Sequence, residues 1–206
     1  MGFGIIFIGY LFTVFDMGFI VNKALLVFVC KILCVVGYTV LLFGLYRFGR
    51  YSEHAKRAFY ASAFLDLCMV SEAVLQGLWF FGAAGDQTVS GIRTYTFTVN
   101  AVAFALAQVL LMYAVFDIGK QTECDKVRKN GIRSVAATAA FCIINIASSF
   151  LKFGDFFDVL RYVLFIVLFF INAVTLYSAY RYICLDTELE AERAEALKER
   201  TFKKGK

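Results

Sequence analysis

The chain of 206 residues is strongly apolar and carries a modest positive charge. Hydrophobic residues make up 61% of it, charged residues make up 18%, and the net charge at pH 7 is +5. The apolar residues form blocks of about 20, the length at which a helix crosses the hydrocarbon core of a bilayer. Because these blocks do not alternate with period two, a membrane β-barrel is excluded and the predicted class is an all-α membrane protein.

Six apolar blocks predict a six-transmembrane-helix bundle. The predicted helices are residues 3–21, 24–46, 58–81, 95–116, 135–150 and 158–184. Asp16 and Gly18 lie near the end of the first block, which leaves open that this helix ends after a half-span. The transmembrane domain is expected to cover residues 1–185, and a charged tail of residues 186–206 follows it. Acidic residues come first in the tail and basic residues last, which matches a helix macrodipole and predicts a short C-terminal helix.

The Lys and Arg residues gather at alternate connections between the predicted helices. Most of the 21 lie between helices two and three, between helices four and five, and after helix six. The positive-inside rule then predicts that both termini are cytoplasmic in a multi-pass protein of the cell membrane. The positive charge is therefore expected to meet anionic lipid headgroups at the cytoplasmic face, with no nucleic acid as partner. The C-terminal tail is a second candidate contact, for a protein partner.

Two carboxylates, Asp66 and Glu72, lie inside the third predicted helix. Ionisable groups at membrane depth are costly, rare and usually functional. Counting 1.5 Å per residue from the predicted helix ends places Glu72, Lys31 and Asn100 at similar depth in the outer half of the membrane. Lys31 is expected to pair with Glu72 or with Asp16, because an ion pair offsets much of the cost of burying each charge.

A second polar layer is predicted deeper in the membrane. It contains Asp66, with Gln108, Asn145 and Asn172 at a similar level on helices four, five and six. Without a cation at that depth, transfer out of water favours the neutral form of the Asp66 carboxyl. Gln76 shares the polar stripe of the third helix with Asp66. All of these residues are candidates for binding an ion or a substrate.

A purely structural interpretation of the polar residues stays open. Ser, Thr, Ala and single Asn residues commonly form the contacts between membrane helices. On helices three, four and five they recur at spacings of three and four residues, which places them on one face of each helix. In this interpretation, the pairing of Lys31 with Glu72 only fixes how the helices pack.

Three classes of function follow from these residues. The intramembrane carboxylates favour a small-solute or ion transporter, or a channel-like protein, with Asp66 and Glu72 binding a proton or cation and Lys31 as counter-charge. The alternative is a non-catalytic assembly factor, regulator or subunit of a membrane complex, which the short connections, the absence of Pro and the charged tail support. An enzyme is not expected, because His54 is the single histidine and no nucleophile, zinc, phosphate or redox motif is found. No cofactor and no metal site are predicted.

Overall fold

The chain folds as a bundle of α-helices. A computed structural model describes residues 2–15, 24–49, 52–150 and 155–185. The helices are α1 (Gly2–Phe12), α2 (Ala24–Phe48), α3 (Glu53–Phe80), α4 (Asp86–Gln121), α5 (Asp125–Phe150) and α6 (Asp155–Ala179), and a π-helical turn (Tyr180–Leu185) follows α6. No strand occurs within these ranges.

Five of these helices, α2 to α6, are long and apolar enough to cross a membrane. The apolar stretch that begins with α1 runs over Gly2–Phe15 and is shorter than the roughly 20 residues that a span needs. The all-helical class is therefore confirmed, and the helices are those of a multi-pass membrane protein, with five candidate spans where the sequence predicts six. Residues 16–23, where the predicted first helix ends, and the tail 186–206 with its predicted helix lie outside the described residues.

Several helices extend beyond the apolar blocks that predict them. α4 begins at Asp86 and α5 at Asp125, about two turns or more before the predicted starts at residues 95 and 135. With 36 residues, α4 is about 54 Å long, whereas the hydrocarbon core is about 30 Å thick. α3 begins at Glu53, and the Ser52 side chain caps it by accepting a hydrogen bond from the backbone N–H of Ala55 at 3.4 Å. Hydropathy thus locates the apolar part of each helix, while the backbone hydrogen bonds continue the helix into the polar residues beside it.

The helices pack in sequence order, and α6 returns to α1. Each helix contacts the next, and the Tyr10 ring of α1 stacks on Phe169 of α6 with the ring centroids 5.3 Å apart. α4 is the most deeply buried of the five long helices. Apolar side chains fill the interior, from Leu45 and Met112 in one cluster to Leu65 in the next. The described helices therefore enclose a packed core.

Glycines bring the backbones of α1 and α2 into contact. A Cβ atom at Gly9 would lie 2.5 Å from the backbone nitrogen of Leu41. A Cβ atom at Gly44 would lie 2.5 Å from Cγ1 of Ile6 and 2.9 Å from its backbone nitrogen. Because no side chain fits at such separations, these glycines allow the short first helix to pack closely against α2.

Candidate functional site

A carboxylate on α3 joins three helices at one end of the bundle. The Glu72 Oε2 atom lies 2.7 Å from the Lys31 Nζ atom of α2. The other oxygen of Glu72, Oε1, accepts a hydrogen bond from the Asn100 amide of α4. The predicted pairing of Lys31 with Glu72, at the depth of Asn100, is confirmed. Asp16, the other acid considered for Lys31, lies outside the described residues.

We call Lys31, Glu72 and Asn100 the charged cluster. Its members are largely shielded, with 7% of Lys31, 9% of Asn100 and 16% of the Glu72 side chain exposed. Lys31 lies about two turns from the start of α2 and Glu72 about two turns from the end of α3, so the antiparallel helices bring them to one level. Buried ions are tolerated when they are paired and further hydrogen-bonded. The Glu72 carboxylate meets both conditions, because it is paired with Lys31 and accepts a further hydrogen bond from Asn100.

Asp66 lies apart from the charged cluster, at the contact between α2 and α3. The Thr39 hydroxyl of α2 lies 3.2 Å from the Asp66 Oδ2 atom and 3.0 Å from the Val35 carbonyl oxygen of its own helix, so its single hydrogen has two acceptors within reach. Asp66 is half-buried, and Thr39 is exposed on the same stripe of α2 as Val36 and Phe43. Asp66 therefore lies beside an exposed hydroxyl at the α2–α3 contact, with its Oδ1 atom shielded, although the sequence predicts it among interior amides. The prediction did not include Thr39, which depth counting along α2 would have placed near the level of Asp66.

Two shielded oxygens near the middle of the bundle receive no hydrogen bond from the described residues. They are Oδ1 of Asp66 and Oε1 of Gln108, and Gln108 is only 2% exposed. The contact between Glu72 and Asn100 sets the register of α3 against α4, and this register places Gln108 within about one turn of the level of Asp66. A buried acceptor without a donor costs about 1–3 kcal/mol. A proton on Asp66 or a small cation would supply the missing donor or positive charge.

The amide of Asn172 belongs to a different set of contacts, between α5 and α6. Its side chain exchanges hydrogen bonds with the Thr138 hydroxyl at 3.2 and 3.3 Å. Further contacts follow along the same two helices: Ser134 with Thr175 at 2.7 Å, Asn130 with Ser178 at 3.3 Å, and Lys126 with Tyr182 at 3.2 Å.

We call these contacts between α5 and α6 the polar ladder. Ser134, Thr138 and Asn172 are fully buried in it. Ser134 and Thr138 belong to the polar stripe that the sequence predicts on the fifth helix, whereas the stacking of Tyr10 on Phe169 of α6 was missed. Tyr10 carries no signal in the sequence, because aromatic residues are common throughout this chain.

The two remaining candidates, Gln76 and Asn145, lie on α3 and α5. Gln76 is buried on α3, one turn beyond Glu72, and Asn145 is half-buried on α5. Within the ranges described, no three His, Cys, Asp or Glu side chains lie close enough to hold a metal ion. Cys30, Cys34, Cys68, Cys124 and Cys142 are free thiols.

The fold and the charged cluster define the class: a multi-pass α-helical membrane protein with ionised side chains inside its bundle. No protein-family model, curated protein or solved structure matches the chain. Its function has to be inferred from its own residues.

Proposed function

We propose that this protein is a small-solute or ion transporter, or a channel-like protein, that binds a proton or small cation at Asp66 within the bilayer. The observation that supports the proposal is the buried Oδ1 atom of Asp66, which lacks a hydrogen-bond donor among the described residues. Buried polar atoms are nearly always hydrogen-bonded, so an exception calls for a missing proton, ion or water.

The two carboxylates of α3 then have different roles. Glu72 is neutralised by Lys31 and stays fixed, since both of its oxygens have partners. Asp66 has a hydroxyl donor, Thr39, at one oxygen only. Protonation of Asp66 would create a donor at about the level of the buried acceptor of Gln108, and loss of the proton would create a negative charge that attracts a cation. Alternation between these two states is the chemistry that a proton- or cation-coupled carrier needs.

The proposed orientation places the protein in the cell membrane with both termini in the cytoplasm, which requires the segment that begins with α1 to cross as a sixth span. The contact between the rings of Phe3 and Phe48 puts the start of α1 at the same end of the bundle as the end of α2. Ser52, just before α3, donates to Asp117 near the end of α4 at 3.2 Å. The basic connection between α2 and α3 thus lies at the same end of the bundle as the basic connection between α4 and α5. Two basic connections at one end support a cytoplasmic location for that end.

Flux measured in proteoliposomes tests the proposal. The variant Asp66→Asn removes the titratable group, keeps an acceptor for Thr39 and adds an amide donor, so it should fold. We expect it to lose proton or cation flux. The matched control is Asp125→Asn, which removes an exposed carboxylate at the start of α5 and should retain flux. Normal flux through the Asp66→Asn protein would contradict the proposed role.

A second candidate function is a non-catalytic subunit, regulator or assembly factor of a membrane complex. The observation that favours it is the exposed Thr39 hydroxyl, which lies on the outer side of α2 beside the half-buried Asp66. Polar groups on a lipid-facing surface are suited to hydrogen-bond a helix of another protein. Thr39→Val combined with Asp66→Leu should then release a partner that co-purifies with the wild-type chain, and deletion of residues 186–206 tests the tail separately. A homogeneous protein without a partner in mild detergent would count against this function.

A further inference from the structure

A surface depression lies where α4 ends and α5 begins. It has a volume of about 340 Å³ and is lined by Phe116, Lys120, Arg128, Lys129 and Ile132. Lys120, Arg128 and Lys129 are exposed. Phe116 and Ile132 lie about one turn farther into the candidate membrane spans of α4 and α5. The depression thus combines three positive charges with an apolar surface that continues toward the hydrocarbon.

Close packing of the helix backbones fixes this arrangement. A Cβ atom at Gly119 would lie 2.8 Å from the backbone nitrogen of Arg128, and a Cβ atom at Gly131 would lie 2.8 Å from the Cα atom of Phe116. α4 and α5 therefore cannot move closer together, and the basic side chains of both helices extend from a closely packed helix junction.

The basic residues of α5 lie at the unfavourable end of their helix. Lys126, Arg128 and Lys129 fall within the first two turns of α5, where the helix macrodipole is positive and favours acidic groups. Asp125 pairs with Arg128 at 2.8 Å and compensates one of these charges. The repulsion among the remaining charges would be relieved by an anion, which would also meet the positive end of α5.

We propose that this depression binds one anionic phospholipid, with the phosphate among Lys120, Arg128 and Lys129 and an acyl chain along Phe116 and Ile132. Basic pockets between membrane helices bind anionic headgroups in this way. A free phosphate ion would use the basic residues alone, whereas a phospholipid explains why the apolar side chains belong to the same depression. The inference concerns a bound lipid and is independent of the proposed transport.

The test measures phosphatidylglycerol bound to the purified full-length protein, by native mass spectrometry and by thermal stability in titrations. Phosphatidylcholine and inorganic phosphate serve as the competing probes. We expect phosphatidylglycerol to bind in one-to-one stoichiometry and to stabilise the wild-type protein more than either of them. The triple variant Lys120→Gln, Arg128→Gln, Lys129→Gln should bind roughly 100-fold more weakly, since each basic residue near a membrane contributes about fivefold in affinity.

A charge-matched control distinguishes a specific site from general attraction. Arg47→Gln, Lys56→Gln and Arg57→Gln remove three exposed charges at the same end of the bundle, and this variant should bind as the wild type does. Ile132→Ser should weaken binding of phosphatidylglycerol without affecting phosphate. Equal losses in the two triple variants, equal binding of phosphatidylcholine, or stabilisation by phosphate alone would overturn the proposal. All the charges that are replaced are exposed, so the variants should fold. Circular dichroism verifies the folded state of each.

Discussion

Lys31 of α2 and Glu72 of α3 form an ion pair of 2.7 Å in which both side chains are mostly shielded. The second oxygen of Glu72 is held by Asn100 of α4. One carboxylate therefore connects three consecutive helices, and each of its oxygens serves a different neighbour. The stability of this end of the bundle should depend on both charges being present together.

Removing one charge of the pair should destabilise the protein strongly. Glu72→Leu leaves the buried Lys31 ammonium without its carboxylate, and we expect a loss of about 3–5 kcal/mol in the free energy of unfolding. Lys31→Leu should have a comparable effect. The double variant should lose much less than the sum, because neither buried charge then remains unpaired. Unfolding in mixed micelles followed by circular dichroism measures all three, and additive losses would show that the two charges act independently.

A side chain at Gly44 should separate α1 from α2. Gly44→Val places atoms where Ile6 already lies, and such overpacking costs about 1–3 kcal/mol or more. The matched control is Gly91→Val on α4, where no atom lies within 4 Å of the added Cβ. Thermal unfolding should show a large loss for the first variant and little change for the second. Equal stability of the two variants would mean that the α1–α2 contact contributes little.

Within the polar ladder, Asn172 should be the most sensitive position. Asn172→Leu leaves the Thr138 hydroxyl without the amide with which it exchanges two hydrogen bonds between α5 and α6. Hydrogen bonds between membrane helices contribute about 0.6 kcal/mol on average and up to about 1.7 kcal/mol, so the loss of two should exceed 1 kcal/mol. Ser71→Ala is the control, because the exposed Ser71 hydroxyl bonds only the Cys68 carbonyl of its own helix. An Asn172→Leu protein as stable as the control would contradict this ranking.

The proposed orientation can be tested by cysteine labelling. Cys124 lies between α4 and α5, at the end proposed to face the cytoplasm, and Gly85 lies at the opposite end, just before α4. In a background without the other cysteines, a membrane-impermeant maleimide should label Cys124 only after the cells are permeabilised. With Cys124 also replaced, Gly85→Cys should be labelled in intact cells. The reverse pattern would show that the basic connections face outward.

Depth in the membrane is predictable from this sequence, whereas the direction of a side chain around its helix is not. The fixed rise per residue places Lys31, Glu72 and Asn100 at one level, and the structure joins them. Asp66 was placed correctly on its helix, but its orientation toward Thr39 could not be derived. Lipid is as apolar as a protein interior, so the apolar residues of α2 do not distinguish the core side from the lipid side.

The positions of the helix ends were also only partly predictable from the sequence. The apolar blocks locate the parts of α4 and α5 that lie in lipid, and they omit the polar turns with which both helices begin. The π-helical turn after α6 and the close approach of Gly119 to α5 also depend on packing between helices. Local composition does not specify which helices contact each other, so these features could be identified only from the structure.

The stacking of Tyr10 on Phe169 has a consequence for the order of events during synthesis. Tyr10 is made well before Phe169, because α2 to α5 lie between them in the chain. α1 can pack against α2 as soon as both exist, but its contact with α6 must wait until five further helices have been translated. Closure of the bundle therefore follows the synthesis of α6, and a chain truncated before α6 would leave the Tyr10 ring without this partner.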